Sequence, residues 1–224
     1  MCTNDSEETS EVDGRSQRAK RRREARKESI KRAAKAVFAE KGFHKGSISD
    51  IISIAGTARG TFYLYYQSKR CIFEDILDDA LTQLRQAIRP VDLELATPPI
   101  DQLRDSMKRV VNIFAHDPHL LRILLHQAVG LDAGFDEKMS DFFSSIMAMI
   151  CRSLHRGMEM GLIRPLDPQR TAVFIFGAVK EALATALIGQ DVEEMDLDAL
   201  VNDLVTYNLV GIEQPGSPLR GLIS

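Results

Sequence analysis

Residues 47–69 read SISDIISIAGTARGTFYLYYQSK, and their reading decides the fold. Ser47 followed three residues later by Asp50 is a capping-box pattern for a helix start. Ile48, Ile51, Ile52 and Ala55 give that helix one apolar face. Gly56 stands where the helix must stop and the chain reverse, a position that favours left-handed backbone. A second, short helix over about 58–65 carries Arg59, Gly60, Thr61, Tyr63 and Tyr65. Two helices joined by a short glycine turn form the helix-turn-helix unit, whose second helix enters the major groove of DNA. In that position Arg59 is long enough to reach a guanine edge, and Thr61 suits a phosphate or a thymine methyl. The hydroxyls of Tyr63 and Tyr65 suit phosphate oxygens. Lys69 adds charge at the next helix N-terminus, and His44 and Ser47 can touch the backbone. Phe62 and Tyr66 are expected in the core.

From about Ile30 to Phe73 the chain resembles the TetR family of bacterial transcription regulators. The matching residues are Ala33–Ala34, Val37–Phe38–Ala39, Lys41–Gly42–Phe43, Asp50–Ile51, Ala55–Gly56, Gly60–Thr61–Phe62–Tyr63, Tyr65–Tyr66 and Ser68–Lys69, in order and without a gap. The resemblance implies a dimeric, all-α, ligand-responsive DNA-binding protein, usually a repressor. It places DNA contacts at Ser47, Arg59, Gly60, Thr61, Tyr63, Leu64, Tyr65 and Lys69. Thr57-Ala58 replaces the common Val-Ser, which would move the cap of the second helix to Thr57. Ile52 and Ile54 are bulkier than usual, and Leu64 stands where a polar or aromatic residue is common.

Charge is divided sharply along the chain. Residues 15–70 hold sixteen Lys and Arg against four acids, a local charge of +12. The whole chain carries −3, so −15 falls elsewhere. A split of this kind presents one face to a polyanion and turns the acidic remainder away from it. Residues 1–14 are polar and acidic and are expected to be disordered. The basic run RSQRAKRRREARKE over 15–28 has high helix propensity, which can extend the first helix toward its N-terminus. It reads either as a solvated tail or as an arm that contacts DNA phosphates or the minor groove.

The expected organisation is all-α. Residues 1–27 form the arm, 28–75 a DNA-binding domain, 76–212 a helical regulatory and dimerisation domain, and 213–224 a frayed tail. Helices are expected over 28–41, ended by Gly42, then over 68–88, 100–116, 118–129, 134–160, 168–188 and 194–211. Asp117-Pro118 and Asp167-Pro168 read as N-caps followed by a first-turn proline. The 224-residue chain is 44% hydrophobic, enough for a core, yet has no run of eighteen apolar residues to span a membrane. Its N-terminus lacks an apolar signal core, so the expected location is the cytoplasm.

The helix over 134–160 carries more Met and Phe than one core-facing stripe requires: Met139, Phe143, Ile146, Ile150 and Leu154 form one stripe, and Phe142 and Met149 another. Such side chains suit an adaptable, mostly apolar pocket for a small-molecule effector. Phe114, Leu121, Leu125, Phe143, Met147, Ile150, Phe174 and Val179 are its candidate lining, and the alternative is an ordinary bundle core. Residues 174–187, FIFGAVKEALATAL, resemble the corresponding helix of acyl-CoA-responsive family members. The family's pairing mode implies a homodimer through the last two helices, Thr171–Ile188 and Leu197–Leu209. Ala178, Ala182 and Ala186 form a row of small residues on the first. Leu197, Leu200, Val201, Leu204 and Val205 on the second need either a partner or burial within the chain.

Other chemistry has no signature. Cys2, Cys71 and Cys151 lack zinc spacing and read as free thiols, with a redox role for Cys71 beside Arg70 as the alternative. His116, His119 and His126 show no recognised ligand spacing, so no metal or cofactor is expected. No nucleophile–base arrangement or phosphate loop is present, so no enzyme is expected. The rival class is an all-α small-molecule-binding protein or enzyme with an incidental basic N-terminus; the glycine turn together with the local +12 argues against it.

Overall fold

The computed structural model describes residues 5–125, 133–188 and 196–212, with side chains described from residue 17 onward except at 133–135 and 210. Among the described residues every regular element is an α-helix: α1 (Asp5–Lys45), α2 (Ile48–Ala55), α3 (Arg59–Tyr63), α4 (Lys69–Ala87), α5 (Pro99–His116), α6 (Pro118–Leu125), α7 (Ala133–Glu159), α8 (Pro168–Leu187) and α9 (Leu197–Val210). The chain divides into two compact units, Met1–Ile76 and Leu77–Ser224, so the boundary falls inside α4.

The first unit is built on the apolar stripe of α1. Ile30, Ala34, Val37 and Phe38 are buried with Ile51 of α2, Phe62 of α3 and Ile72, Phe73 and Ile76 of α4. Three rings form its centre. Phe43 lies 5.6 Å from Phe38 and 4.9 Å from Phe73, and Phe38 lies 5.8 Å from Phe73, all tilted or edge-on, the arrangements aromatic quadrupoles favour. Gly42, with φ 75° and ψ 162°, breaks the helical path of α1 and turns Phe43 into this cluster.

The start of α1 differs from the sequence reading. The helix runs back to Asp5 instead of beginning near 28, so residues 5–14 are helical where disorder was expected. Residues 18–26 are exposed on every face, and what favours helix there is local propensity from Ala, Arg, Lys and Glu without a proline. The second helix of the turn motif is also shorter than expected. Ala58 occupies the N-cap position of α3 without a side-chain hydrogen bond, and Thr57 does not cap it.

In the second unit α7 packs on α8, and α5 packs on α9. The proline-led helix starts occur where the sequence placed them. Asp117 Oδ1 accepts the Leu120 N–H, and Asp167 accepts the Gln169 and Arg170 N–H groups. At the end of α4, Arg109 donates to Ala87 O at 2.9 Å and to Ser106 Oγ, meeting one of the carbonyls a helix leaves open. On α9, Val201, Leu204 and Val205 are buried within the chain. α9 packs on α5 and on α8, so these three are covered without a partner chain. The end of the predicted 118–129 helix beyond Leu125, His126 and the 213–224 tail lie outside the described residues.

Gly56 closes α2 in left-handed backbone (φ 58°, ψ 44°). Its N–H bonds to Ser53 O, and the Thr57 N–H bonds to Ile52 O at 3.1 Å, a Schellman ending. An alanine Cβ here would meet no neighbour within 4 Å, so only backbone strain opposes it. Gly56→Ala should lower the stability of the full chain by about 1–2 kcal/mol in urea denaturation, with the native helical signal retained.

Candidate nucleic-acid interface

The turn motif is held by polar groups as well as by the core. Ser47 Oγ accepts the Asp50 N–H at 3.1 Å, while the Asp50 carboxylate accepts the Ser47 N–H at 2.9 Å and the Ser47 hydroxyl at 2.7 Å. Lys41 donates to the other carboxylate oxygen at 2.7 Å. The Lys41 ammonium, and then the two Ser47 bonds, hold the Asp50 carboxyl at about 2. Ser47 is exposed, but its hydroxyl is engaged in this cap.

On α3 and the turn after it, the predicted contact residues divide by exposure. Arg59, Gly60, Tyr63 and Leu64 are exposed, whereas Thr61 and Tyr65 are half-buried. Phe62 is fully buried and Tyr66 is 3% exposed, so these two rings anchor the segment. A helix of five residues could not persist alone; its position depends on them. His44 is half-buried beside Phe43, with ring centroids 5.4 Å apart.

Lys69 is placed differently from expectation. Its ammonium donates to the carbonyls of Phe43 (2.6 Å), His44 (3.2 Å) and Gly46 (2.9 Å) and lies 4.5 Å from the centre of the Phe43 ring. Three protons meet three acceptors, so this lysine closes the end of α1 instead of extending toward solvent. The fixed α1–α2 connection is the result. Arg70 pairs with Glu74 at 2.8 Å, and Cys71 Sγ accepts the Ser68 hydroxyl.

Sequence reasoning missed a carboxylate. Asp75 of α4 accepts the Tyr66 hydroxyl at 2.7 Å and lies 3.0 Å from the Lys27 ammonium and 3.1 Å from that of Lys31. The Lys31 side chain is 4% exposed. Burial acts most strongly on Asp75 and opposes ionisation, yet the bonds from Tyr66, Lys27 and Lys31 together hold it below the ordinary carboxylate range. The available signal was Lys31 itself: a lysine one turn before Ala34 and two before Phe38, on the apolar stripe, implies a buried partner.

Basic side chains continue along α1, with Arg18, Lys20, Arg21, Arg22, Arg23 and Arg26 all exposed. An exposed basic helix joined to a rigid helix-turn-helix defines a DNA-binding protein. Residues 30–76 match the family described as bacterial regulatory proteins, tetR family, and residues 96–210 match the tetracyclin repressor-like C-terminal domain. The chain is 38% identical over 193 residues to YdgC, an uncharacterised HTH-type transcriptional regulator of Bacillus subtilis, covering 84% of this chain and 93% of that one. It is 25% identical over 181 residues to the fatty acid metabolism regulator protein of B. subtilis, covering 80% and 92%. The crystal structure of FadR from B. subtilis in complex with stearoyl-CoA has the same fold, with a TM-score of 0.64 at 24% identity over 83% of this chain and 98% of that one. The chain belongs to the TetR family and is a DNA-binding transcriptional regulator.

In the second unit the eight candidate pocket residues separate. Phe114 and Leu121 are buried; Leu125, Phe143, Met147, Ile150 and Val179 are half-buried. Phe174 is 66% exposed beside Val173 on the outer face of α8, which removes it from the lining. The sealed stripe of α7 is Met139, Phe142, Ile146, Met149 and Leu154. Phe143, Met147 and Ile150 form a neighbouring, half-buried stripe, with Phe143 5.5 Å from Phe176 of α8. Two clefts among the described residues lie elsewhere. One of about 310 Å³ between α4 and α7 is lined by Asp78, Arg85, Lys138 and Phe142 among others. One of about 510 Å³ lies between α5 and α9. None of the eight lines either. Among the described residues no group of three His, Cys, Asp or Glu is placed to hold a metal, and no helix is long and apolar enough to cross a membrane.

Asp75→Asn removes the nearer of two carboxylates that face buried Lys31, Glu28 at 3.5 Å being the other, and should cost about 3 kcal/mol, the scale for breaking one side of a buried pair. The pH response has the same origin. Asp75 and Asp50 ionise more readily folded than unfolded, so their stabilisation is complete above the unfolded value of about 3.9 and is lost as pH falls through the lower folded values, about 2 for Asp50. Urea melts at pH 7, 4 and 3 should show falling stability, with a shallower fall in Asp75→Asn.

Proposed function

We propose that this regulator is a homodimeric repressor that leaves its operator when a mostly apolar effector binds the second unit. The observation that carries the DNA half is the division on α3 and the turn after it: Phe62 and Tyr66 are sealed inward, while Arg59 and Tyr63 face solvent. The proposed contacts are Arg59 to a base edge, Gly60 and Leu64 along the groove, Thr61, Tyr63 and Tyr65 along the phosphates, and Ser47 beside the backbone. Lys69 acts by holding the α1–α2 connection. The basic stretch of α1 adds phosphate contacts. The protein works in the cytoplasm, and two copies set their recognition helices about 34–36 Å apart, one turn of duplex.

Pairing through α8 and α9 is supported by the apolar side chains those helices leave uncovered: Val173 (57% exposed), Phe174 and Tyr207. The effector reading is supported by the half-buried Phe143, Met147 and Ile150, which the sealed core does not use. The similarity to a fatty acid metabolism regulator, and to a FadR structure that holds stearoyl-CoA, supports long-chain acyl thioesters as the effector class. Binding that favours a different spacing of the recognition helices lowers DNA affinity by the difference in free energy between the two states.

Two changes separate specific from general DNA binding. Arg59→Ala should relax preference at one base pair per half-site by about 1–3 kcal/mol. Deleting residues 1–26, which spares the Lys27–Asp75 pair, should weaken operator and random DNA alike and lower the slope of log K against log salt by about 0.9 for each phosphate the arm no longer neutralises. Full salt dependence in the truncated protein would return the arm to a solvated tail.

Stearoyl-CoA and palmitoyl-CoA should raise the melting temperature, as any ligand of the folded state does, and should release DNA; free CoA should do neither. Phe143→Asn should bind DNA normally and lose the response. A DNA complex that survives every acyl-CoA, with no change in melting, would remove this effector class.

A further inference from the structure

Gly60 has no explanation inside the protein. A glycine within a helix costs about 1 kcal/mol relative to alanine, and α3 has only five residues to hold it. Its backbone does not require glycine, because positive φ occurs at Gly42, Gly56 and Gly161 but not here. Packing does not require it either, since an added Cβ would meet nothing within 4 Å. The bare backbone therefore serves something that approaches from outside. One turn on, at i+4 and so on the same face, stands Leu64, 76% exposed. Beside that face are Arg59 and Tyr63, whose polar ends suit DNA.

Leucine can neither donate nor accept a hydrogen bond, so it gains nothing from a phosphate or a purine edge. The apolar group that a base presents in the major groove is the thymine C5-methyl. We propose that Leu64 reads a thymine methyl in each operator half-site, and that the bare Gly60 backbone lets the recognition helix approach closely enough for that contact. The inference rests on the DNA-binding reading and assigns Leu64 a specificity role within it.

The test uses the full-length protein and duplexes it selects from a random library. Each thymine is replaced singly by deoxyuridine, which removes the methyl and nothing else. At one position per half-site the wild type should bind roughly fourfold more weakly, the value of about 0.8 kcal/mol for one buried methyl-sized group. Leu64→Ala should bind the thymine and uracil duplexes equally, with an unchanged melting temperature because the side chain is exposed. Gly60→Ala should melt no lower than wild type yet bind every selected duplex more weakly. The proposal is overturned if deoxyuridine is neutral at every position, or if Leu64→Ala keeps the full penalty. Selection of no sequence at all by the wild type is a different result: it overturns the DNA-binding reading on which the proposal stands.

Discussion

One carboxylate organises the first unit. Asp75 gathers a buried lysine, a second lysine at the root of the basic helix, and the hydroxyl of the tyrosine that follows the recognition helix. These groups come from α1, from the segment after α3 and from α4, so a single side chain fixes three parts of the chain. The Lys27 ammonium also lies 5.6 Å from the centre of the Tyr66 ring. Such a cluster is not a large source of net stability, because desolvation offsets most of the attraction. What it provides is uniqueness. Displacing any member leaves Lys31 buried beside fewer acceptors, which penalises other positions of α4 and of the recognition segment.

That constraint matters because α3 has little stability of its own. Five residues form barely more than one turn, and α3 lacks a side-chain N-cap. Its orientation is imposed from both ends. The Schellman ending at Gly56 sets the direction in which the chain leaves α2, and Phe62 and Tyr66 fix its inner side. Lys69 then locks the α1–α2 connection by binding three carbonyls at the end of α1. Exposed residues between rigid supports are what a base-reading element needs, since their direction is settled before DNA arrives and little entropy is lost on binding.

The turn motif was legible because its determinants are local. A capping serine, an acid three residues later, an apolar face and a glycine in left-handed backbone all act within one or two helical turns, and the structure shows each of them in place. The proline-led helix starts at Asp117 and Asp167 were legible for the same reason. Tertiary choices were not. Nothing near Lys69 in sequence announces carbonyls more than twenty residues away. The apolar repeat on α9 has two physical solutions, a partner chain or α5, and periodicity cannot choose between them. Phe174 looked equivalent to Phe143, but which way each ring turns is decided by how α7 and α8 pack together. The long reach of α1 lay between these cases: propensity favoured helix through the basic run, while composition favoured disorder before it.

The exposed stretch of α1 poses a separate energetic question. Arg18, Arg22 and Arg26 stand four residues apart, so like charges repel along one face of a helix with no covering element. Arg21, Arg22 and Arg23 leave no side of the helix neutral. Only Glu24 and Glu28 relieve this within the run. A helix in that condition has propensity on one side of its balance and self-repulsion on the other, and a polyanion removes the second term by neutralising the charges it contacts. Helix formation and any DNA contact made by this segment would therefore reinforce each other. Because Lys27 and Lys31 are committed to Asp75, the exposed run is anchored at its C-terminal end to the same cluster that positions the recognition helix. Charge neutralised on the run then strengthens a helix whose root is part of the DNA-reading scaffold.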